Sequence, residues 1–168
     1  ASLPAITRGS SIAVNVNNQF SVDASNNTFV VSVDDVKGTL TLPISSAYTL
    51  DSFIDTLEKG INQLASDSGS SVSGVSVEYD AGTNGLVFTT GTKGSDSFIK
   101  VSGSATWGLA NIEAGRGTTT TWIKPTQSAD TANGVAVQKY IDEFGNETAS
   151  ADGFTTLPEW SPIYLDKG

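Results

Sequence analysis

Between residues 50 and 64 the chain places Leu50, Phe53, Ile54, Leu57, Ile61 and Leu64 at spacings of 3, 1, 3, 4 and 3. That is one apolar stripe at the 3.6-residue helical period. Thr49 stands at the N-cap position and Asp51 in the first turn, where the helix dipole favours negative charge. The pattern predicts a helix from Leu50 to Ser66, ended by the polar run Ser68 to Ser71. Gly60 inside it costs about 1 kcal/mol relative to Ala and leaves room for another element to approach closely. Ordering the backbone opposes folding about as strongly as burying one stripe favours it, so the helix must lie on a sheet.

The flanking sequence supplies strands for that sheet. Thr28 to Val33 and Gly38 to Leu42 alternate around the turn that begins at Asp34. Gly74 to Tyr79 and Gly85 to Thr90 follow the helix, joined by Asp80 to Gly85. Ser97 to Ser102 comes after the Gly-rich turn from Thr90 to Ser95. Residues Thr28 to Gly103 therefore read as a ββαββ module, one sheet with the helix covering one face.

Upstream, Ala1 to Gly9 reads as a linker, with Pro4 and Gly9 bracketing little periodic pattern. Ser11 to Val16 alternates with Ile12, Val14 and Val16 on one side, and Asn17-Asn18 would turn it into a strand from Gln19 to Val22. Asp23 to Asn27 reads as a loop. Downstream, a short helical turn within Trp107 to Ala114 would plug Trp107, Leu109 and Ile112 into the end of the sheet. Thr118 to Ile123 is strand-like and Pro125 stops it. Gln127 to Gly134 reads as a linker, which divides the chain into residues 1–127 and 128–168. Val135 to Ile141 is ambiguous between helix and strand; the shared parity of Val135, Val137 and Ile141, with a turn from Phe144 to Asn146, favours strand. Ile163 to Leu165 closes the pattern. The fold class expected is mainly β, a β-rich α+β arrangement of antiparallel sheets with one amphipathic helix.

Charge and missing residue types restrict function. The formal charge is −9, from 9 Lys and Arg against 18 Asp and Glu, dispersed along the chain. Such a chain repels phosphate backbones and anionic lipid, so neither nucleic acid nor membrane is an expected partner. No apolar run approaches the ~20 residues of a membrane span. The start at Ala1 has neither a basic region nor a long apolar core, so it does not read as a signal peptide, and the chain reads as a fragment of a longer protein. There is no Cys, His or Met. That removes disulfides, thiolate nucleophiles, Cys-based zinc sites and the commonest general base. The lack of Cys suits an exported protein and a cytosolic one equally.

Each remaining candidate for chemistry has a plainer explanation. Gly115-Arg116-Gly117 lacks the Lys-Ser/Thr ending and the preceding strand of a phosphate loop, and reads as a tight turn. Asp34, Asp35, Asp80 and Asp96 fall outside a calcium-loop register and suit turns, where Asp bonds its own backbone. Asp142 and Glu143 are strand neighbours pointing to opposite faces, unlike a glycosidase pair set ~5–9.5 Å apart across a bond. A Ser–Lys arrangement is formally open with Lys59, Lys93, Lys100, Lys124 and Lys139, but no spacing selects one. Trp107, Trp122 and Trp160 could form a carbohydrate platform, though scattered Trp are more often core anchors. Asn26-Asn27-Thr28 and Asn146-Glu147-Thr148 match the glycosylation sequon, which recurs by chance. No catalytic, cofactor-binding or metal-binding residue is assigned, and no enzymatic activity is expected.

Several segments resemble a known pattern. Leu50-Asp51, Ile61-Asn62, Val75 to Val77, Asn84 to Thr90 and Gly94 to Ile99 look like the "IN" motif of flagellins, filament-cap proteins and hook proteins of bacterial flagella. Tyr140 to Thr148 is similar to a hook-protein signature in which Tyr-Asp is followed closely by Leu-Gly-Asn-Glu. Here Ile141 is inserted after Tyr140, and Phe144 replaces the Leu. Together the two cover somewhat more than half the chain, and the second favours hook over cap or filament. The resemblance implies the central, surface-exposed region of a hook protein, with 128–168 beginning or returning into a neighbouring hook domain. It also implies type III export, an extracellular location, and other copies of the same protein as partners in a helical tube whose assembling helices lie elsewhere. The segment alone would then be monomeric. Alternatives are a cap or flagellin insert domain, or a β-rich adhesin or phage-tail binding module.

Overall fold

The computed structural model of the chain describes residues 1–120, 140–141 and 147–148. The chain divides into two compact units, Ser2–Thr118 and Thr119–Gly168 with Ala1. It is mainly β, with antiparallel sheets and one α-helix among the described residues, the class the sequence predicts.

In the first unit the strands are β1 (Ser2–Arg8), β2 (Phe20–Val22), β3 (Thr28–Val33), β4 (Val36–Thr41), β5 (Ser45–Tyr48), β6 (Ser76–Asp80), β7 (Gly85–Lys93), β8 (Phe98–Ser102) and β9 (Gly115–Arg116), with the helix α1 (Leu50–Ile61) between β5 and β6. One sheet runs β4-β3-β8-β9; another runs β1-β7-β6, with β10 (Thr118–Thr119) beside β1 where the chain leaves the unit; β2 pairs β5. Alternation explains the first sheet. Phe29, Val31 and Val33 turn inward and are buried, while Thr28, Val30 and Ser32 turn outward. Val33 pairs Val36 across a two-residue turn, so β4 starts at Val36 rather than at Gly38. Asp34 takes a left-handed φ of 54° there, a conformation Asp tolerates.

The single-sheet ββαββ reading is corrected. β3 and β4 join β8 in one sheet, whereas β6 and β7 join β1 in another. The missing partner was β1, within residues 1–9, which read as a linker. Its polarity is inverted: Thr7 is 2% exposed and Ile6 41%. Its pairing with β7 also shifts register between Pro4 and Ile6, where Ala5 faces Thr90 to Thr92. Ser11 to Val16 is not a strand either. Ile12 and Ala13 donate their backbone N–H to Asn84 and Thr106 carbonyls, which ties this stretch to turns rather than to a ladder. β2 pairs with β5 instead.

Helix α1 starts where expected. Thr49 is the N-cap, and its hydroxyl accepts from the Ser52 N–H at 3.1 Å while the Ser52 hydroxyl accepts from the Thr49 N–H at 2.9 Å. It ends at Ile61 rather than at Ser66, because Asn62 takes the C-cap and turns the chain. Phe53, Leu57 and Ile61 are fully buried. Gly60 gives the predicted close approach: a Cβ built there would meet the Leu40 side chain of β4 at 3.3 Å. Phe53 meets Trp107 with ring centroids 4.5 Å apart, and Phe20 lies 5.6 Å from Phe53 and 5.5 Å from Trp107. Trp107 ends a short 3-10 turn, Ala105–Trp107, and its indole N–H donates to the Asn26 carbonyl at 2.7 Å. Trp107 and Leu109 are fully buried, as the sequence predicts, and Ile112 is half-buried.

In the second unit β11 (Tyr140–Ile141) pairs antiparallel with β12 (Glu147–Thr148), Tyr140 opposite Thr148. The expected linker from Gln127 to Gly134 and the strand Ile163 to Leu165 lie outside the described residues.

Leu57 is fully buried beneath the helix. Leu57→Ala should lower the unfolding free energy by about 2–5 kcal/mol. Urea denaturation checks it; a change under ~0.5 kcal/mol, the size usual for surface positions, would mean Leu57 is not core.

Candidate functional site

Polar side chains placed where elements end form the described unit's most organised chemistry. Asp34, at the β3–β4 turn, accepts from the Phe98 N–H at 3.0 Å and from the Thr92 hydroxyl at 2.9 Å. The Thr92 hydroxyl accepts in turn from Ser97 at 2.9 Å, and the Asp34 N–H donates to the Phe98 carbonyl at 2.8 Å. One carboxylate thus ties the β3–β4 turn to the end of β7 and the start of β8.

Asn62 joins the helix to the second sheet. Its side-chain carbonyl accepts from the Val75 N–H at 2.9 Å, and its amide donates to the Val75 carbonyl at 2.9 Å and the Glu58 carbonyl at 3.1 Å. One turn earlier, a Glu58 carboxylate oxygen accepts from the Val77 N–H at 2.8 Å. β7 occupies one edge of β6, so these two side chains occupy part of the other, where open backbone groups would invite another chain. Asn84 makes the third junction. It sits at φ 54°, accepts from the Tyr79 hydroxyl at 2.5 Å, and donates to the Ser11 hydroxyl at 2.9 Å and the Ile12 carbonyl at 3.0 Å. Where the β1–β7 register shifts, the Thr90 hydroxyl accepts from the Ala5 N–H at 2.9 Å; further along β1 the Thr7 hydroxyl donates to the Glu113 carbonyl.

The other candidates are scattered. Asp80 accepts from the Gly82 N–H at 2.9 Å, which is turn chemistry, whereas Asp35 accepts from the Ser70 hydroxyl, 35 residues away, at 3.4 Å. Asp96 is exposed on a loop. Among the described residues no three His, Cys, Asp or Glu side chains gather to hold a metal. Lys59 pairs with Asp55 at 3.0 Å on the exposed helix face, and Lys93 and Lys100 are exposed strand residues. Trp107 is in the core, away from any carbohydrate platform. Asn26 of the first sequon is 8% exposed, with its side chain accepting from the Asp23 N–H at 2.9 Å. Trp122, Lys124, Lys139, Asp142, Glu143, Asn146 and Trp160 lie outside the described residues.

The tight-turn reading of Gly115 to Gly117 is corrected. Gly115 and Arg116 are the strand β9, opposite Ile99 and Phe98. Glycine is needed for contact rather than for turning: a Cβ on Gly115 would sit 2.0 Å from the Ile6 carbonyl oxygen, and one on Gly117 2.2 Å from that of Gly94.

Two open grooves mark the surface. One of about 620 Å³ is lined by Ile6, Arg8, Asn111, Ile112 and Glu113; the other, about 320 Å³, runs between β4 and α1 past Leu40, Pro43, Lys59 and Gln63. The first holds a single carboxylate side chain, Glu113, and the second a single one, Asp55, so neither offers a carboxylate pair for acid–base work. Among the described residues, Asp23 and Tyr48 titrate away from their ordinary values. The Ser25 hydroxyl, then the Ser25 N–H, hold exposed Asp23 below the usual carboxylate range. Burial raises the Tyr48 phenol above 10.0, and its hydroxyl donates to the Pro43 carbonyl at 2.7 Å. No family model matches the chain, and neither a curated protein nor a solved structure matches it.

Asn62→Ala leaves Val75 without its side-chain partners and should cost about 1–3 kcal/mol. Hydrogen exchange at the Val75 and Val77 amides should accelerate more than in the core of β7; unchanged exchange there would contradict the junction. Tyr48 gives a pH test. Its contribution is fully present below the unfolded value near 10.0 and is lost as pH rises through the higher folded value. Tyr48→Phe should flatten that alkaline loss while removing one hydrogen bond, about 0.5–1.5 kcal/mol at neutral pH. Melting curves across alkaline pH check both.

Proposed function

We propose that this chain is the central, surface-exposed region of a bacterial flagellar hook protein, a structural part of the extracellular hook tube with no enzymatic activity. The observation that carries this reading is where the motif residues fall. Ile61 is buried beneath the helix, and Asn62 joins that helix to the backbone of Val75. Asn84 and Thr90 each bind a distant segment of the chain. In this reading the motif encodes joints between elements, which is what a load-carrying module needs. The Tyr140 to Thr148 signature places its two ends on the paired strands β11 and β12 and adds the preference for hook. The net charge of −9 supports partners other than nucleic acid or anionic membrane. A cap or flagellin insert domain would use the same module, and the Tyr140 to Thr148 segment is what separates them from hook. A glycan-binding adhesin or phage-tail module would need exposed aromatic rings, and among the described residues Trp107 is fully buried and supplies none.

The full protein would leave the cell through the flagellar type III apparatus and meet other copies of itself in the tube. On this reading the unit braces the tube, while assembly helices elsewhere drive polymerisation. Replacing residues 2–118 by a short linker in the full-length protein should leave subunits that are exported and polymerise, with altered tube stiffness or curvature under electron microscopy. Loss of polymerisation in a folded, exported subunit would overturn this division of labour. The isolated chain should sediment as a monomer at micromolar concentration, and its melting curves with and without EDTA should superimpose, since a native-state metal would stabilise by mass action.

A further inference from the structure

The outward face of the β4-β3-β8-β9 sheet has a charge opposite to that of the chain. Phe29, Val31, Ile99 and Val101 point into the core, so the alternate positions point out. Register sets Lys37, Ser32 and Lys100 side by side on three adjacent strands. Strand spacing of ~4.8 Å then puts the two lysine backbones about 10 Å apart. Arg116 of β9 follows on the same side, its guanidinium 5.0 Å from the centre of the Phe98 ring. The other outward positions of β3, β4 and β8 are Ser, Thr and Val30, and none carries a carboxylate. Among the described residues neither Lys37 nor Lys100 has an ion-pair partner. In a chain with 18 acidic and 9 basic residues, this acid-free face is set apart.

We propose that this cationic face docks on the acidic surface of a second copy of the same chain. Charge complementarity selects that occupant. A second copy carries a net −9 and presents exposed carboxylates, such as Asp51 on α1 and Glu78 on β6, on surfaces other than this sheet face. Two different surfaces meet, so the contact is head-to-tail and can repeat along an open assembly. Exposed pairs are individually weak, which sets the contact in the roughly millimolar range and leaves the chain monomeric when dilute. The inference rests on the hook reading for the crowding of copies that makes so weak a contact count.

Amide NMR shifts of the purified chain test it, followed from micromolar to millimolar concentration. At ~0.1 M salt the Debye length is ~10 Å, so net repulsion is screened while pairs at contact persist. Shifts should grow at Ser32, Lys37 and Lys100, and fade as salt rises. The variant K37E/K100E should weaken association by about tenfold or more, as expected when surface pairs turn repulsive. R8E/K93E changes net charge equally away from this face and should retain it. No concentration-dependent shift at the face, or equal shifts in K37E/K100E, would overturn the proposal. So would shifts seen only when heparin is added to dilute protein, which would make an anionic polysaccharide the occupant. Tubes of full-length K37E/K100E identical to wild type would reject the contact and leave the hook reading standing. Failure of the full-length wild type to form any tube would reject the hook reading, with the contact still decided by the NMR series.

Discussion

The contact between Phe53 and Trp107 is the one on which the rest of the unit depends. One ring is carried by the helix, the other by a 3-10 turn more than fifty residues later, and they meet at 4.5 Å. Phe20, Phe29 and Tyr48 surround them, so β2, β3, β5 and α1 each contribute a ring to the cluster. A single short helix buries too little to order itself. With Phe53 held between rings from four other segments, it becomes the wedge around which the sheets close. The indole N–H of Trp107 finds a backbone carbonyl at Asn26, so this large side chain is buried without an unmet donor.

What the sequence made legible follows from periodicity. The helix stripe and the alternations of β3 and β8 are strong signals because one face of each element is apolar and the other is not, while β7 reads as a short apolar run, Leu86 to Phe88, buried on both faces. β1 gives no such signal: it buries Thr7 and exposes Ile6, and its pairing with β7 shifts register between Pro4 and Ile6. The Thr90 hydroxyl, from a strand 85 residues away, meets the Ala5 N–H, and nothing local to residues 1–9 announces that partner. Without β1 as a neighbour β6 and β7 have nothing to form a separate sheet with, which is why local pattern alone points to a single sheet.

The junction residues were equally hard to read. Asp34 and Asn84 look like ordinary turn residues, and both do occupy turns at positive φ. Their side chains then reach across to segments 64 and 73 residues away in sequence. Asn62 was visible as part of a motif, but its role depends on Val75, 13 residues on, lying at its side. Gly115 shows the same limit from the other direction. Glycine suggests a turn when its neighbours are unknown, and a close backbone contact once Ile6 is seen against it.

These junctions bear on function through what they spend their chemistry on. A carboxylate that accepts from a backbone N–H and a hydroxyl, as Asp34 does, is committed to holding two sheets together and is poorly placed to move protons. The same holds for Asn62, whose amide binds the Val75 backbone on both donor and acceptor sides, and for Asn84, which donates to the Ile12 carbonyl and accepts from the Tyr79 hydroxyl. Such bonds join elements at their ends, where apolar packing is thinnest and where shear between sheets would first open a gap. Side chains from α1 also occupy part of the free edge of β6, so one strand edge is closed without another strand. Lys37 and Lys100, on the outward face of the β4-β3-β8-β9 sheet, take no part in these joints and stay exposed.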